Sequence, residues 1–147
     1  MPRKSPLEIK VKLLRDDAKL PTRNKDSAGL DLYVTRVCSV SGSAGTLIES
    51  RKEMTCMPGR VYKAETGIAV EPPAGYWGLI KPRSGMSLRN GLGVLGGVVD
   101  NDFRGEVAII FTVESQVTVK VGDRIAQMVL LPYICPEVVK AENLSDT

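Results

Sequence analysis

The chain is built from short apolar segments that glycine and proline interrupt repeatedly. Turn signals such as Pro58-Gly59, Pro72-Pro73-Ala74-Gly75 and Gly122-Asp123 recur roughly every eight to twelve residues. Between them, segments such as residues 7–14 and 117–121 alternate apolar and polar side chains, which is typical of strands with one buried face. The sequence shows neither an alternation of strands with long helices nor an internal repeat. This pattern predicts an all-β, jelly-roll-like domain.

Only one segment favours a helix. Ser84 belongs to the residue types that cap helix N-termini, and residues 86–89 offer a short helical stretch that Asn90-Gly91 would end. We therefore expect at most one short helix. The 147 residues suit a single domain, spanning residues 1–147, and are too few for two.

Residues 36–57 break the regular pattern of the other segments. The stretch from Ser39 to Gly45 is small and polar, and Arg51-Lys52-Glu53 is charged. We interpret residues 36–57 as an atypical loop excursion with a short strand around Leu47-Ile48.

The chain contains no histidine, which removes several kinds of site at once. Ser-His-Asp and Cys-His catalysis are excluded, and so are histidine metal sites. A general base must be a carboxylate, a lysine or a tyrosine, and a metal must be a hard cation with oxygen ligands. Cys38, Cys56 and Cys135 are odd in number and lack a C-x-x-C spacing, so the sequence indicates neither a zinc site nor a disulfide framework.

The formal net charge of +3 gives the chain only a mild preference for anions. Lysines and arginines are scattered among acids, so the sequence does not predict a nucleic-acid-binding surface. It has no apolar run long enough to span a bilayer and no apolar stretch of an N-terminal signal peptide. We therefore expect a soluble, intracellular protein of the cytoplasm or nucleus, with neither nucleic acid nor a membrane as partner.

The start of the stretch from Pro82 to Glu106 carries groups that suit a phosphate chain. Arg83 offers a forked cation, Ser84 a hydroxyl, and the backbone near Gly85 N–H donors with no side chain in the way. Arg83 and Ser84 are equally compatible with a plain helix entry, and a helix entry is itself favourable for anions.

The end of the same stretch carries a candidate base and a slot for a ring. Asp100 is a carboxylate that can take a proton from water, although aspartate at this place is also a common turn former. Before it, the backbone of Leu95-Gly96-Gly97-Val98, in what we interpret as an apolar hairpin, can approach a flat ring closely because glycine lacks a Cβ atom. A phosphate cradle, a base and a ring slot together indicate nucleotide chemistry.

Four segments, in this order along the chain, resemble the motifs of the trimeric dUTP pyrophosphatase (dUTPase) family. Each segment alone is weak evidence, but four in the family's order, covering most of the chain, form a specific signal. The four segments are Ala28–Tyr33 (AGLDLY), Pro82–Gly85 (PRSG), Gly97–Gly105 (GVVDNDFRG) and Gly122–Gln127 (GDRIAQ).

The resemblance implies a jelly-roll subunit that assembles as a homotrimer, with active sites built at the subunit interfaces. The implied reaction is hydrolysis of dUTP to dUMP and pyrophosphate, by attack of water on the α-phosphate. Asp100 then takes the place of the general base, and Gln127 that of the side chain that holds the attacking water. Arg83, Ser84 and Gly85 take the places of the phosphate-binding residues.

The resemblance also implies how the base, the sugar and a metal are bound. The backbone around Val94, Gly97 and Val98 would pair with uracil, excluding cytosine by hydrogen-bond polarity and thymine by bulk. Phe103 stands where the family usually has a tyrosine, whose ring packs on the deoxyribose and excludes a 2′-hydroxyl; the phenyl ring keeps that contact. Mg²⁺ is the implied cofactor, bound mainly by the triphosphate oxygens, with Asp31 near its water shell.

One departure from the family keeps alternatives open. The glycine-rich C-terminal arm that closes over the nucleotide has no counterpart before Thr147, and without it we expect slower turnover because the site is wetter. One alternative is a catalytically weakened, dUTPase-like protein-interaction module that uses the 36–57 excursion. The other is a dCTP deaminase, which the Pro82–Gly85 turn and Asp100 oppose.

Overall fold

The computed structural model describes residues 7–41 and 45–147, and these contain thirteen strands and one helix. The elements are β1 (Lys10–Leu13), β2 (Gly29–Leu32), β3 (Arg36–Ser41), β4 (Thr46–Arg51), β5 (Glu53–Cys56), β6 (Val61–Glu65), β7 (Ile68–Glu71), β8 (Tyr76–Pro82), α1 (Ser84–Asn90), β9 (Gly93–Leu95), β10 (Val98–Val99), β11 (Ala108–Thr112), β12 (Val117–Lys120) and β13 (Ala126–Pro132). The prediction of a mostly β chain with at most one short helix is confirmed.

Two larger antiparallel sheets and two small ones make up the fold. One has five strands in the order β4-β3-β6-β11-β9, and the other has four in the order β10-β8-β13-β2. Strands β1 and β7 form a two-stranded sheet, and so do β12 and β5. Strand β8 lies between β10 and β13, so it joins the segment before Asp100 to the strand that carries Gln127.

The core is formed by side chains that point inward from alternating positions. In β11, Ile109 and Phe111 are fully buried, and the ring of Phe111 stacks on that of Tyr62 with 5.6 Å between centroids. Ile110 between them is 42% exposed, so β11 buries one face only, although the apolar run of residues 107–111 is typical of a strand buried on both faces. An antiparallel sheet commonly packs one face on the core and leaves the other outside.

The interpretation of residues 36–57 as a loop excursion is also wrong. β3 lies between β4 and β6 in the five-stranded sheet, and β5 pairs with β12. Val37 and Cys38 are buried, which shows that the segment contributes to the core. The short strand expected around Leu47-Ile48 is present as part of β4, and residues 42–44 lie outside the described residues.

The helix α1 begins one residue earlier than the capping prediction required. Arg83 is the N-cap residue, with φ −71° and ψ 140°, and it makes no side-chain capping bond. Ser84 is thus the first helical residue rather than the cap, and its hydroxyl is not used to cap the helix. Gly91 ends the helix in the left-handed conformation, φ 60°, as Asn90-Gly91 predicted.

The glycine-rich segment 93–99 crosses from one sheet to the other and is not a two-stranded hairpin of its own. β9 pairs with β11, whereas β10 pairs with β8. Gly96 and Gly97 connect them with φ values of 65° and 89°, which residues with a Cβ atom rarely adopt. The crossing places the end of β10, and Asp100 after it, at the edge of the four-stranded sheet.

All three cysteines are free, Cys38 and Cys56 in the core and Cys135 at the surface. Burial raises the pKa of the Cys56 thiol to about 12, so this group stays protonated at neutral pH. Among the described residues, no helix is both long and apolar enough to cross a membrane.

Candidate active site

A cavity of about 460 Å³ lies where β8 passes into α1, and we call it the arginine cavity. It collects segments that are far apart in the sequence, from the loop before β2 to the start of β13. The lining residues are Arg23, Asn24, Ser27, Gly29, Asp31, Arg83, Ser84, Gly85, Met86, Arg89, Arg124 and Gln127.

The pairing of three neighbouring strands explains why these side chains meet. Gln127 in β13 lies opposite Asp31 in β2 on one side and opposite Lys81 in β8 on the other. β8 ends at Pro82, and Arg83 continues from it into the helix. The predicted phosphate residues, the predicted water-holding glutamine and the predicted metal-associated aspartate therefore share one cavity.

Asp31 is held between two arginines. Its Oδ1 lies 3.3 Å from Nε of Arg83, and its Oδ2 lies 3.3 Å from Nη1 of Arg124. These contacts orient both guanidinium groups toward the cavity, since Asp31 is only 19% exposed in its side chain and fixed in a strand. Asp31 thus forms ion pairs with Arg83 and Arg124 and holds both side chains in place.

The cavity carries more positive than negative charge. Four arginines line it, and Asp31 is the one carboxylate among the described lining residues. Within residues 7–41 and 45–147, Arg23 and Arg89 have no carboxylate within ion-pair distance. Guanidinium groups without an anionic partner favour the binding of an anion, and phosphate oxygens match their forked geometry.

Glycines leave the room that two of the polar side chains need. A Cβ atom on Gly29 would lie 1.9 Å from Oε1 of Gln127, so a larger residue would displace the glutamine. In its present position Gln127 donates from Nε2 to the carbonyl oxygen of Pro82 over 3.2 Å. At the helix entry, a Cβ atom on Gly85 would come within 3.4 Å of the guanidinium nitrogens of Arg89.

A second cavity, of about 540 Å³, contains Asp100, and we call it the Asp100 cavity. The carboxylate is exposed at the end of β10, beside a mostly apolar wall. Asp102 lines the same cavity but does not pair with Arg104, which contacts Glu71 over 3.4 Å instead. The lining residues are Trp77, Val98, Asp100, Asn101, Asp102, Tyr133 and Cys135.

The two cavities lie at opposite ends of β8. Val99 pairs with Gly78, and Asp100 follows Val99, whereas Arg83 comes five residues after Gly78. At about 3.3 Å per residue along a strand, Asp100 and Arg83 are roughly 20 Å apart within one chain. A single chain therefore does not bring the predicted base to the predicted phosphate residues.

The residues predicted to hold a base and a sugar lie along the segment that leads to Asp100 and in the turn that follows it. Gly97 accepts a hydrogen bond from the Ile80 N–H over 2.8 Å, and a Cβ atom on it would lie 3.4 Å from Cγ1 of Val94. Val98 is 61% and Phe103 43% exposed, so both present apolar surface to the outside. The Phe103 ring covers Gly105, where a Cβ atom would lie 2.7 Å from Cζ.

Three arginines of the arginine cavity were not predicted from the sequence: Arg23, Arg89 and Arg124. Arg89 lies in the last turn of the helix that Arg83 caps, so the predicted helix over residues 86–89 was the signal that could have placed it near the phosphate residues. Arg124 belongs to the fourth motif, to which the resemblance assigned only Gln127 a role. The sequence carried no comparable signal for Arg23, which reaches the cavity from the loop before β2.

The described residues do not form a metal cage of their own. No group of three or more acidic or cysteine side chains in them is arranged to hold a metal ion. Asp31 is the carboxylate nearest the phosphate residues, and arginines already engage both of its oxygens. These side chains therefore suit a cation that brings most of its oxygen ligands with it.

Comparison with known proteins points to one family. The sequence profile of the dUTPase family matches residues 37–147. The deoxyuridine 5'-triphosphate nucleotidohydrolase of Hydrogenobaculum sp. (strain Y04AAS1) is 37% identical, with 96% of this chain and 91% of the relative covered. The corresponding protein of Caldanaerobacter subterraneus subsp. tengcongensis is also 37% identical, with 95% and 89% covered.

Solved structures of phage dUTPases share the fold. A point mutant of the Staphylococcus bacteriophage 80alpha dUTPase with dUpNHpp superposes with a TM-score of 0.75 at 24% identity, covering 95% of this chain and 91% of the other. A point mutant from phage phi11 of S. aureus, described with the coordination of a structural Mg(II) ion, gives 0.73 at 23% identity, covering 92% and 97%. At these identities the two structures establish the fold alone.

Proposed function

The chain belongs to the dUTPase family, and from this premise we propose that it hydrolyses dUTP to dUMP and pyrophosphate. The relatives that carry this activity in their names align over nearly the whole chain at 37% identity. The structural observation that supports the proposal, in addition to sequence similarity, is the arginine cavity. Its four guanidinium groups surround Ser84 and Gly85, where a chain of phosphates finds both positive charge and hydrogen-bond donors.

In this proposal Arg83, Ser84 and Gly85 bind the phosphates. Arg83 presents a guanidinium that Asp31 holds in place, and the Ser84 hydroxyl lines the same cavity, where its O–H can donate to a phosphate oxygen. Gly85 keeps the backbone accessible. Electrostatic stabilisation of the leaving pyrophosphate by fixed cations is the main contribution that such a site makes to phosphoryl chemistry.

Asp100 is the proposed general base and Gln127 the residue that holds the attacking water. Asp100 takes a proton from the water, the water oxygen bonds to the α-phosphorus, and the bond from that phosphorus to the bridging oxygen of pyrophosphate breaks. Gln127 lies in the arginine cavity, 3.2 Å from the Pro82 carbonyl, where its amide can orient a water. Asp100 is exposed, so its carboxylate is accessible to such a water.

The separation of the two cavities leads us to propose a site shared between subunits. Asp100 and Arg83 are roughly 20 Å apart along β8 in one chain. The two side chains of one chain therefore cannot act on the same phosphorus atom. If Asp100 of one subunit faces the arginine cavity of its neighbour, both groups reach the same phosphate. A homotrimer with three such interfaces is the cyclic assembly that the family resemblance implies.

Base and sugar recognition belong to the Asp100 end in this proposal. The backbone of Val94, Gly97 and Val98 pairs with uracil, and close backbone approach is possible because Gly97 has no side chain. Phe103 packs its exposed ring on the deoxyribose, which leaves no room for a 2′-hydroxyl. Discrimination against UTP then depends on the ring alone and not on a phenolic hydroxyl.

Mg²⁺ is the proposed cofactor, and the triphosphate supplies most of its ligands. The described residues offer no cage of acidic side chains, so the chain does not hold the ion by itself. Asp31, bound to two arginines, would contact the hydrated ion only through water. When bound, the cation neutralises part of the triphosphate charge.

Pyrophosphate release from dUTP, dCTP, dTTP and UTP, measured with Mg²⁺, tests the proposed function. We expect turnover of dUTP alone, and a decrease in kcat of about 10²–10⁴-fold in Asp100→Asn, which keeps the side-chain shape and removes the base. Ammonia release from dCTP would instead identify a deaminase. A wild-type protein that turns over none of the nucleotides would contradict the proposal and favour a protein-interaction module.

A further inference from the structure

Among the described residues, no side chain fixes the direction of the Asp100 carboxylate. In the part of the chain that the structure describes, no residue donates a hydrogen bond to it. Its aim therefore depends on the backbone of residues 100–104, in which the Phe103 N–H donates to the Asp100 carbonyl over 3.1 Å. Aim matters to a general base, because a displacement of about 1 Å can lower a rate on the order of 10²-fold.

The side-chain amide of Asn101 joins the turn of residues 100–104 to the turn of residues 72–76 at the start of β8. Its Nδ2 lies 2.8 Å from the carbonyl oxygen of Tyr76, 3.1 Å from that of Pro73 and 3.5 Å from that of Pro72. Two N–H donors thus serve three carbonyl acceptors. Asn101 is half-buried, and it directly follows Asp100, so a movement of its backbone moves the base.

The turn that receives Asn101 is stiff. Pro72 and Pro73 each have a fixed φ, and the Tyr76 N–H donates to the Pro73 carbonyl over 3.1 Å. The Gly75 carbonyl accepts from the Tyr133 N–H over 3.1 Å, which joins the turn to the residue after β13. Asn101 therefore connects residues 100–104 to a turn that the fold holds from two sides.

Arg104 makes a second contact that holds the turn of residues 100–104. Its Nη1 donates to the Asn101 carbonyl oxygen over 2.5 Å, and its Nη2 lies 3.4 Å from Oε1 of Glu71. Glu71 is the last residue of β7, and its other oxygen lies 3.4 Å from Nζ of Lys10. The backbone of Asn101 is thus held through its own side chain on one side and through Arg104 on the other.

We propose that Asn101 is the positioning residue that aims the Asp100 carboxylate, with its amide anchored on the carbonyl oxygens of Pro72, Pro73 and Tyr76. This inference rests on the proposed function and adds to it a residue that acts through Asp100. Arg104 supports the same geometry from β7. Because neither contact involves the arginine cavity, their loss changes the chemical step and leaves phosphate binding as it was.

Steady-state kinetics on dUTP with Asn101→Ala tests the inference. We expect kcat to fall about 10–100-fold, as for a displaced base, with KM unchanged within about twofold. The control is Asn90→Ala, which loses a single amide-to-carbonyl bond, from Nδ2 to the Gln116 carbonyl oxygen over 3.4 Å. Its kcat should equal that of the wild type, and thermal unfolding of both variants reports any general loss of stability.

A second variant of nearly the same shape separates positioning from simple packing. Asn101→Asp keeps the size of the side chain but turns a donor into an acceptor that faces three carbonyl oxygens. We expect its kcat to lie at or below that of Asn101→Ala, because repulsion pushes the turn off its anchor. If shape alone mattered, Asn101→Asp would retain wild-type kcat.

The outcomes distinguish this inference from the proposed function. An active wild type, an inactive Asp100→Asn and a low kcat in both Asn101 variants with normal KM support the inference. An active wild type whose Asn101 variants match Asn90→Ala in kcat would overturn it and leave the proposed function standing. A wild type without dUTP turnover would overturn the proposed function first, and the positioning role with it.

Discussion

At the scale of single residues, the absence of a side chain at Gly29 matters as much as the groups that line the cavity. Gly29 and Gln127 lie on neighbouring strands, and a Cβ atom on the glycine would overlap the glutamine amide oxygen at 1.9 Å. The amide keeps its bond to the Pro82 carbonyl only while that space stays empty. Gly29 therefore contributes to the site through the space that it leaves.

The change Gly29→Ala tests this relation. We expect the Gln127 side chain to leave the Pro82 carbonyl, with kcat on dUTP lower by about tenfold and a smaller change in stability. A suitable control is Gly93→Ala, because its nearest neighbour would be Thr112 Oγ1 at 3.8 Å, an ordinary contact. Wild-type kcat in Gly29→Ala would show that the position of Gln127 does not matter for turnover.

Single residues with distinctive chemistry could be predicted from the sequence, but their neighbours could not. Arg83, Ser84 and Gln127 do share a cavity, because the motifs that carry them lie on adjoining strands. The ion pairs of Asp31 with Arg83 and Arg124 depend on strand order, which the hydrophobic pattern does not specify. The same holds for the bond between Asn101 and the Pro72–Tyr76 turn, since no local pattern indicates a partner that far away.

At the scale of elements, a charged contact joins four segments near the start of β7. The Arg15 guanidinium, in the loop after β1, contacts Glu106 over 2.5 Å and Glu65 at the end of β6 over 3.6 Å. It also donates to Thr35 Oγ1 over 2.8 Å. Burial of Glu106 acts to raise its pKa, but the hydrogen bond and charge of Arg15 outweigh this effect and hold the pKa below its ordinary value of 4.5.

This contact predicts a dependence of stability on pH. Since the folded pKa of Glu106 is the lower one, its stabilising effect is complete above 4.5 and is lost as the pH falls toward the folded pKa. Urea unfolding measured from neutral pH into this acid range should show a smaller decline for Glu106→Gln than for the wild type. Glu137→Gln, at an exposed position, is the control and should decline like the wild type. Equal declines in all three would rule out this role of Glu106.

The elements with clean alternation were predictable, and those with mixed signals were not. Residues 117–121 were predicted as a strand, and β12 covers Val117–Lys120. Residues 36–57 contain small, polar and charged side chains because β4 is an edge strand and much of its surface faces outward, so the pattern resembled a loop. The segment that an interaction module would use as its contact surface is thus largely part of the two sheets that contain β3, β4 and β5.

At the scale of the whole molecule, the proposed base and the proposed phosphate-binding residues lie far apart within one chain. The arginine cavity and the Asp100 cavity lie at opposite ends of β8, and the residues in each are incomplete for hydrolysis. The Asp100 cavity also exposes Val98, beside the exposed ring of Phe103. The central claim of our proposal is that these two surfaces meet between subunits, so that each site takes its cations from one chain and its base from another.

Mixing two inactive variants tests this claim most directly. Asp100→Asn keeps the arginine cavity and loses the base, whereas Arg83→Ala keeps the base and loses a phosphate contact. If the two variants are unfolded together in equal amounts and refolded, random assembly gives about a quarter of the sites both intact groups, because each is present with a chance of about one half. We predict that dUTP turnover in the mixture recovers to about a quarter of the wild-type value, far above either variant refolded alone. Turnover that stays at the average of the two separate variants, although mixed oligomers form, would contradict a site shared between subunits.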